Sequence, residues 1–374
     1  MEIVGKISEG LAATVGQLHP VLETVFEMIA EIVKNPDEDL TEQFNLVNQK
    51  LEGIQDEHDT MDLELQRSAM NMQNFDYEVQ ILNQYERFQD FVNDPHNKKK
   101  REKFLSYYEK KNKDFHLGCL YNAITGKTDS EGPMFEKRAI IEQRNRRAVE
   151  YFCGTVMKIF LKGIIVVVCY AIQKDRERGD NELKKWQKRM EDVKKHVNAA
   201  VDECTERFAV QAELDMEREL QKKPGSVDLD FTKSLLDFLV KKYDWVKWSI
   251  RVFNDRERTF FFNWFAEKTY HGCAGGVNCF DVLTNSNIKV VVSFCVDPKP
   301  FDKSQIQQKI EKQKLKGDMK LVAQSLRRSF PSCLVHAVSR KEVVETNNFP
   351  EDCYYYGKHN GIYLCIHPVM PHTA

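Results

Sequence analysis

The chain is poor in the two residues that most often break regular structure: 17 of its 374 residues are glycine and 11 are proline. Because glycine and proline interrupt helices most strongly, their scarcity leaves long stretches free to be helical. Asp37–Asp94 holds no proline and one glycine, and Phe135–Ile172 holds no proline. Hydrophobic residues make up 42% and charged residues 30%, which excludes global disorder. The composition predicts a globular protein built largely from long helices.

Marks of export and of lipid attachment are also missing. Glu9, His19 and Glu23 interrupt the apolar run that a secretory signal needs. Glu2 stands where myristoylation needs glycine, and there is neither a C-terminal cysteine box nor an Asn-x-Ser/Thr acceptor. The formal net charge of −2 predicts no general attraction to nucleic acid. We expect a cytoplasmic protein that does not bind nucleic acid, with peripheral attachment to a membrane as an open alternative.

Catalytic and cofactor motifs are absent as well. Gly126–Pro133 contains Gly-Lys-Thr, but Tyr121 stands where a phosphate loop needs its first glycine. Cys273 follows His271 in a glycine-rich stretch that invites a catalytic-cysteine interpretation. Nothing in the sequence places a base beside that thiol, and glycines beside a strand usually form a turn or bulge. We expect no enzymatic activity, no catalytic residue and no cofactor.

The ten cysteines are concentrated towards the C-terminus. An even set suits disulfides in an oxidising compartment, but the missing export signal favours free thiols. Cys365 and His367 alternate as residues on one face of a strand do, and their spacing does not match a zinc finger. No metal site is expected. The six late cysteines are Cys273, Cys279, Cys295, Cys333, Cys353 and Cys365.

The longest apolar block is Tyr151–Ile172, near the roughly 20 residues that a membrane-spanning helix needs. Lys158 and Lys162 interrupt it, and a charge at a bilayer centre costs about 2.5–3.5 kcal/mol. Gly163–Ile172 extends only about 15 Å as a helix, too short to span. The block therefore predicts the central helix of a soluble bundle, with membrane insertion as the alternative. The residues of this candidate core or insertion helix are Lys158, Phe160, Leu161, Lys162, Ile164, Ile165, Val166, Val167 and Val168.

Amphipathic segments surround this block. Ile3–Val33 has a helical apolar stripe interrupted by Pro20, and Asp37–Asp94 has a near-heptad pattern. Asn181–Lys223 is similar, and the turn before it is expected at Gly179-Asp180. These patterns are typical of coiled coils or packed bundle helices. We expect a long-helix bundle over residues 1–223 around a central helix over residues 135–172.

A basic segment, Asn97–Asp114, carries eight Lys/Arg residues against three acidic ones, with aromatic residues between them. Basic residues flanking aromatic ones can bind anionic lipid headgroups, although a solvated charged helix is the common alternative. The candidate headgroup contacts are Lys98, Lys99, Lys100, Arg101, Phe104 and Tyr107.

After Pro224 the sequence changes to short apolar runs rich in Val, Ile, Phe and Tyr. Phe231–Tyr243 and Gln305–Phe330 are expected to be helical. The sequence therefore predicts a mainly α protein, with a C-terminal α+β module over residues 224–374 that contains a small mixed or antiparallel sheet. The expected strands are Trp248–Phe253, Thr259–Phe262, Val277–Leu283, Lys289–Val296, Cys333–Val338 and Gly361–His367.

Four short segments are similar to one known family: LHPVL at Leu18–Leu22, FNLVNQKLEGI at Phe44–Ile54, YEVQILNQYERFQDF at Tyr77–Phe91 and VVVS at Val290–Ser293. With the apolar central helix, they resemble the protein rapunzel family of fishes. The helical part is more remotely similar to cephalotoxin-like proteins and to helical pore-forming toxins. The first resemblance implies a non-enzymatic interaction protein linked to fin and skeletal development. The second implies a membrane-active protein that inserts the hairpin over residues 135–223.

Overall fold

The computed structural model describes residues 23–28, 30–31, 41–56, 76–94, 96–127, 132–222, 225–255, 269–313 and 315–369. The chain divides into two compact units, Met1–Arg207 and Phe208–Ala374. This division falls before the boundary expected after residue 223. The helix Phe208–Lys222 belongs to the second unit because its buried face joins the hydrophobic cluster of the strands that follow.

The first unit is the expected helical bundle. One long apolar helix, Arg146–Lys174, packs against most of the other helices of this unit. Most of the predicted Ile3–Val33 helix lies outside the described residues, of which 23–28 and 30–31 are helical. The helices are α1 (Thr41–Asp56), α2 (Asp76–Val92), α3 (Lys98–Lys110), α4 (Phe115–Thr125), α5 (Met134–Ile141), α6 (Arg146–Lys174) and α7 (Arg176–Glu206).

The prediction of one continuous central helix over residues 135–172 is wrong. The chain breaks between α5 and α6, where Gln143 and Arg144 have positive φ angles of 51° and 56°. Asn145 then caps α6, and its side chain accepts a hydrogen bond from the Ala148 backbone N–H at 3.2 Å. Asparagine is among the best N-cap residues, so this break needs neither proline nor glycine.

The turn expected at Gly179-Asp180 is also displaced. Asp175 alone separates α6 from α7, so Gly179 lies inside the first turns of α7. Gly179 is buried, and a Cβ there would lie 2.4 Å from Cγ1 of Ile172. This glycine therefore permits close helix packing and does not form the turn. The long helix expected over Asn181–Lys223 is likewise interrupted at Arg207.

The second unit places helices on the outer faces of two antiparallel sheets. The strand orders are β3-β4-β1-β6 and β2-β5-β8-β7. The expected strands within the described residues are present, Thr259–Phe262 lies outside them, and β2, β6 and β7 were not predicted. The elements are α8 (Phe208–Lys222), α9 (Leu229–Lys242), β1 (Lys247–Asn254), β2 (His271–Ala274), β3 (Cys279–Leu283), β4 (Ile288–Cys295), α10 (Lys303–Glu311), α11 (Met319–Ser329), β5 (Cys333–Val338), β6 (Val344–Asn347), β7 (Tyr355–His359) and β8 (Ile362–Pro368).

Each sheet turns an apolar face to its helices and a partly polar face to the other sheet. In β1, Ile250 and Val252 join the cluster with α8 and α9. Ser249 and Arg251 alternate with them and point to the second sheet, because successive strand residues face opposite sides. We call the buried polar residues between the sheets the inter-sheet layer. Its members are Ser249, Arg251, Ser293, His336, Cys365 and His367.

We predict that the second unit loses stability in mild acid because of two histidines in this layer. Burial holds the pKa of His336 well below its ordinary value, and nearby Arg251 and His271 act in the same direction. Burial also lowers the pKa of His367 to about 3. Both rings are neutral in the folded state and charge more readily when unfolded. Stability is therefore complete above about pH 6.5 and falls below it, by up to about 1.4 kcal/mol per pH unit for each histidine.

Urea unfolding at pH 7.5 and 5.5, followed by hydrogen exchange of the β5 and β8 peptides, measures this loss. His367→Gln is expected to show a smaller loss than the wild type. His359→Gln, at the end of β7, is the matched control and should behave as wild type. Equal losses in all three proteins would contradict the assignment to the inter-sheet layer.

Candidate functional site

The α6 helix is the strongest candidate for a functional element. Its 29 residues extend about 43 Å at about 1.5 Å per residue. Within the described part of the chain it is the one helix long and apolar enough to cross a membrane, with a mean hydropathy of 2.1 over its best 18-residue window. That window is 83% buried. A core helix of a soluble protein can have the same length and hydropathy. The role of α6 is therefore inferred from its contacts.

The aliphatic residues of α6 are buried on every side. Most amphipathic helices bury one stripe, whereas a helix that is apolar all round belongs to a large core or to a bilayer. All of the predicted apolar residues join one hydrophobic cluster with the neighbouring helices. Val167 is 4% exposed, and the fully buried members are Phe160, Leu161, Ile164, Ile165, Val166 and Val168.

The two central lysines of α6 lie half-buried on one side of the helix. Lys158 and Lys162 are four residues apart and therefore share a face. The Lys162 ammonium lies 5.1 Å from the centroid of the Tyr85 ring on α2. An ammonium over an aromatic face is attracted to it, and the apolar stem of the lysine can stay buried. The bundle thus accommodates this charge beside an otherwise apolar helix.

Polar contacts mark the two ends of α6. Near the N-terminus, Nη1 of Arg146 lies 3.4 Å from Oε1 of Glu150, and both side chains are buried. Near the C-terminus, the Tyr170 hydroxyl donates to Oε1 of Glu109 on α3 at 2.6 Å, and Nζ of Lys174 lies 2.9 Å from the same oxygen. Hydrogen bonds from Lys174 and Tyr170 hold the pKa of Glu109 below its usual value. Charge is therefore concentrated where a spanning helix would meet headgroups.

The α7 helix covers one side of α6 and forms a hairpin with it. Asp175 is the only residue between them. The Phe160 and Trp186 rings meet at 5.7 Å in an edge-to-face arrangement, and the indole N–H of Trp186 donates to Glu182 at 3.1 Å. Unlike α6, α7 is amphipathic. Its apolar stripe towards the core is Leu183, Trp186, Met190, Val193 and Val197.

The basic helix α3 presents part of the predicted headgroup surface. Lys98, Lys99 and Arg101 are exposed. Lys100 is half-buried, with its ammonium 3.3 Å from Asp94. Nε of Arg101 donates to the Gln173 side chain at 2.7 Å. The basic residues are therefore accessible, although two of them already have partners.

Of the two aromatic residues predicted for that surface, Phe104 is placed differently. Phe104 is 1% exposed and packs against the rings of Phe88 at 5.5 Å and Phe91 at 5.9 Å, so it is a core residue. Tyr107 is half-buried beside Arg87. Phe115, at the start of α4, is 59% exposed. The sequence analysis did not select this residue. Its position directly after the basic segment is the one sequence feature that could have indicated it.

The cysteine that the sequence suggests as a catalytic candidate lies in the second unit. Cys273 on β2 is in register with His336 on β5. All ten cysteines are free thiols. Among the described residues, no group of three or more His, Cys, Asp or Glu side chains is arranged to hold a metal ion.

Comparison with known proteins concerns the helical part. A family model described as the cephalotoxin-like middle helical domain matches residues 34–226, just over half of the chain. This range includes every helix from α1 to α8. No curated protein and no solved structure matches the chain.

We predict that Gly179→Ala destabilises the bundle by about 1–3 kcal/mol, because the new Cβ overpacks the hairpin. It would lie 2.4 Å from Cγ1 of Ile172 and 3.3 Å from the Ile172 backbone. Gly118→Ala on α4 is the matched control, since its Cβ meets nothing within 4 Å. The control should gain about 0.5–1 kcal/mol from helix propensity. Urea unfolding followed by circular dichroism at 222 nm measures both, and a Gly179→Ala protein as stable as the control would refute the close packing.

Proposed function

Because the chain belongs to the cephalotoxin-like family, we propose that it is a membrane-active protein whose bundle stores α6 in its core and releases it into lipid bilayers. The observation that carries the proposal is the burial of α6 on all sides by neighbouring helices, of which α7 is amphipathic. A helix of this composition finds an apolar environment both in the bundle and in hydrocarbon. The same residues therefore serve as a core at rest and as a membrane segment after release.

The length and charge distribution of α6 fit a bilayer. A hydrocarbon core is about 30 Å thick, and about 40–45 Å with its headgroup regions. A helix of about 43 Å therefore spans both. Arg146, Arg147 and Lys174 lie at its ends, where they would meet phosphate groups. The sequence predicts that residues 135–223 insert as a hairpin. Because α5 is a separate helix, we propose that α6 is the part of this range that spans the bilayer.

Within this proposal, α7 remains at the membrane surface or lines water. Its apolar stripe covers α6 in the bundle, while its other face is charged. In a bilayer, the face of α6 that carries Lys158 and Lys162 must also meet water or a polar partner. The two lysines therefore oppose insertion, whereas the aliphatic residues of α6 favour it. Insertion of α6 would perturb the bilayer and make it leaky to small ions and dyes.

The basic surface of α3 supplies the first contact in this proposal. Each lysine or arginine near an anionic membrane contributes about 1 kcal/mol of attraction. Lys98, Lys99 and Arg101 are exposed for such contacts. The exposed Phe115 follows the same basic run and could enter the interface. A cytoplasmic location with peripheral attachment is the setting that we propose.

A second candidate is a non-enzymatic interaction protein of the rapunzel type, with a role in fin and skeletal development. It rests on the resemblance of short segments and on one surface feature of α5. Ile140 and Ile141 are adjacent and 58% and 66% exposed. A neighbouring apolar pair on a helix end suits a small protein contact. This candidate requires no membrane binding, which separates it from the first.

The lysine pair provides the sharpest test of membrane insertion. We predict that Lys158→Leu with Lys162→Leu lowers the protein concentration for half-maximal dye leakage by at least about tenfold, because each central lysine opposes insertion by about 2.5–3.5 kcal/mol. Vesicles of phosphatidylcholine with 30% phosphatidylserine are assayed for leakage and flotation. Lys184→Leu with Lys188→Leu is the matched control, since these lysines are exposed on α7. The control makes the same change in composition and should leak dye as the wild type does.

The proposal fails if neither the wild type nor the α6 double variant floats with vesicles at pH 5.0 to 7.4. It also fails if the α6 and α7 variants enhance leakage equally, because general hydrophobicity would then explain the effect. Circular dichroism of each variant establishes that the bundle is retained.

A further inference from the structure

Arg251 is the most unusual buried group in the second unit. Its side chain is fully buried on β1, yet none of the described carboxylates contacts it. Nη1 donates to Oγ of Ser249 at 2.6 Å and to Sγ of Cys365 at 3.0 Å. Nη2 donates to Oγ of Ser293 at 2.9 Å. Because a buried guanidinium stays charged, a thiol in contact with it is the nearest group that can become an anion.

The Cys365 thiol also has a path for its proton. Its S–H donates to the hydroxyl of Tyr354 at 3.2 Å, and that hydroxyl donates to Oε1 of Glu345 at 2.7 Å. Glu345 on β6 is half-buried and so reaches solvent. A proton leaving the sulfur can therefore pass along Tyr354 to a carboxylate near the surface. The thiolate that remains would face the guanidinium of Arg251.

Two residues next to Cys365 have buried polar atoms without a hydrogen-bond partner in the described part of the chain. Nε of Arg251 and both ring nitrogens of His336 are buried and have no hydrogen-bond partner among the described residues. His336 is the register partner of Cys365 on the neighbouring strand β5. Buried polar atoms rarely remain without partners in native proteins. An oxygen bound to the sulfur could accept hydrogen bonds from Nε of Arg251 and from the single N–H of the neutral His336 ring.

We propose that Cys365 is a modification site at which small hydroperoxides oxidise the thiol to sulfenic acid. The thiolate sulfur attacks one peroxide oxygen, so that an S–O bond forms and the O–O bond breaks. Sulfur loses two electrons and the peroxide gains them. The thiol proton moves through Tyr354 to Glu345 and returns along the same path to the departing oxygen, which leaves as water or as an alcohol. The sulfenic acid remains between Arg251 and His336.

The reaction should quicken as pH rises. Burial raises the pKa of the Cys365 thiol, and the charge of Arg251 opposes that rise. Below a raised pKa, the thiolate fraction grows about tenfold per pH unit. Oxidation of Cys365 by hydrogen peroxide is therefore expected to accelerate about tenfold from pH 6.5 to 7.5 by this relation.

The ten cysteines of one chain provide internal references for the test. The full-length protein is treated with hydrogen peroxide, trapped with a dimedone probe and analysed by peptide mass spectrometry. Cys365 should acquire the sulfenic-acid adduct at least tenfold faster than Cys169, a buried thiol on the apolar α6. Cys365→Ser should lose this adduct alone. Modification of Cys365 no faster than that of Cys169 would overturn the proposal, because both thiols would then be reacting only when the protein unfolds.

Tyr354→Phe tests the proton path. It removes the hydroxyl between Cys365 and Glu345 but keeps the ring, and it should slow the oxidation of Cys365 at least fivefold. Tyr363→Phe is the matched control, since its hydroxyl lies on the same sheet and donates to the Lys341 backbone carbonyl at 3.3 Å. Equal oxidation rates in the two variants would reject the path through Tyr354. Slowing by both would assign the effect to the sheet as a whole and would reject it as well.

Discussion

The burial of α6 is the constraint on which the first unit depends. A helix with aliphatic side chains on every side has no face that water can cover favourably, so it requires neighbours all round. This requirement accounts for the many helices packed around α6 and for the single apolar stripe that α7 turns towards it. It also explains the small residue at Gly163, where a Cβ would lie 2.6 Å from Leu117. The α7 helix is amphipathic because only one of its faces is buried against the core.

Much of this arrangement could be predicted from the sequence, because long periodic patterns carry strong signals. The apolar run of α6 and the stripe of α7 identify a central helix and its cover. The break before Asn145 could not be seen in the same way, since it depends on capping and positive φ angles and leaves the apolar pattern unbroken. Phe104 was misplaced for a related reason. An aromatic residue among lysines suggests a surface, whereas three-dimensional packing places this ring in the core.

The second unit follows a different principle from the first. Its two outer layers are apolar, but the space between its sheets contains a charged guanidinium, imidazoles and hydroxyl groups. The alternation of Ser249, Ile250 and Arg251 in β1 already indicates two unlike faces. Sequence alone could not show that the polar face is buried, because alternation normally places polar residues in water. The short strands β2 and β7 were missed because four or five residues carry too little pattern.

The single residue between α6 and α7 determines which end of α6 can move first. One extended residue spans at most about 3.6 Å, so the adjoining ends of these helices cannot separate by more than a few ångströms. At the other end, the chain from Glu142 to Asn145 joins α6 to α5 and offers four residues of slack. The connection at Asp175 therefore allows rotation but little separation, whereas the connection between α5 and α6 allows a larger displacement. Any departure of α6 from its neighbours swings about Asp175, and its N-terminal half travels farthest.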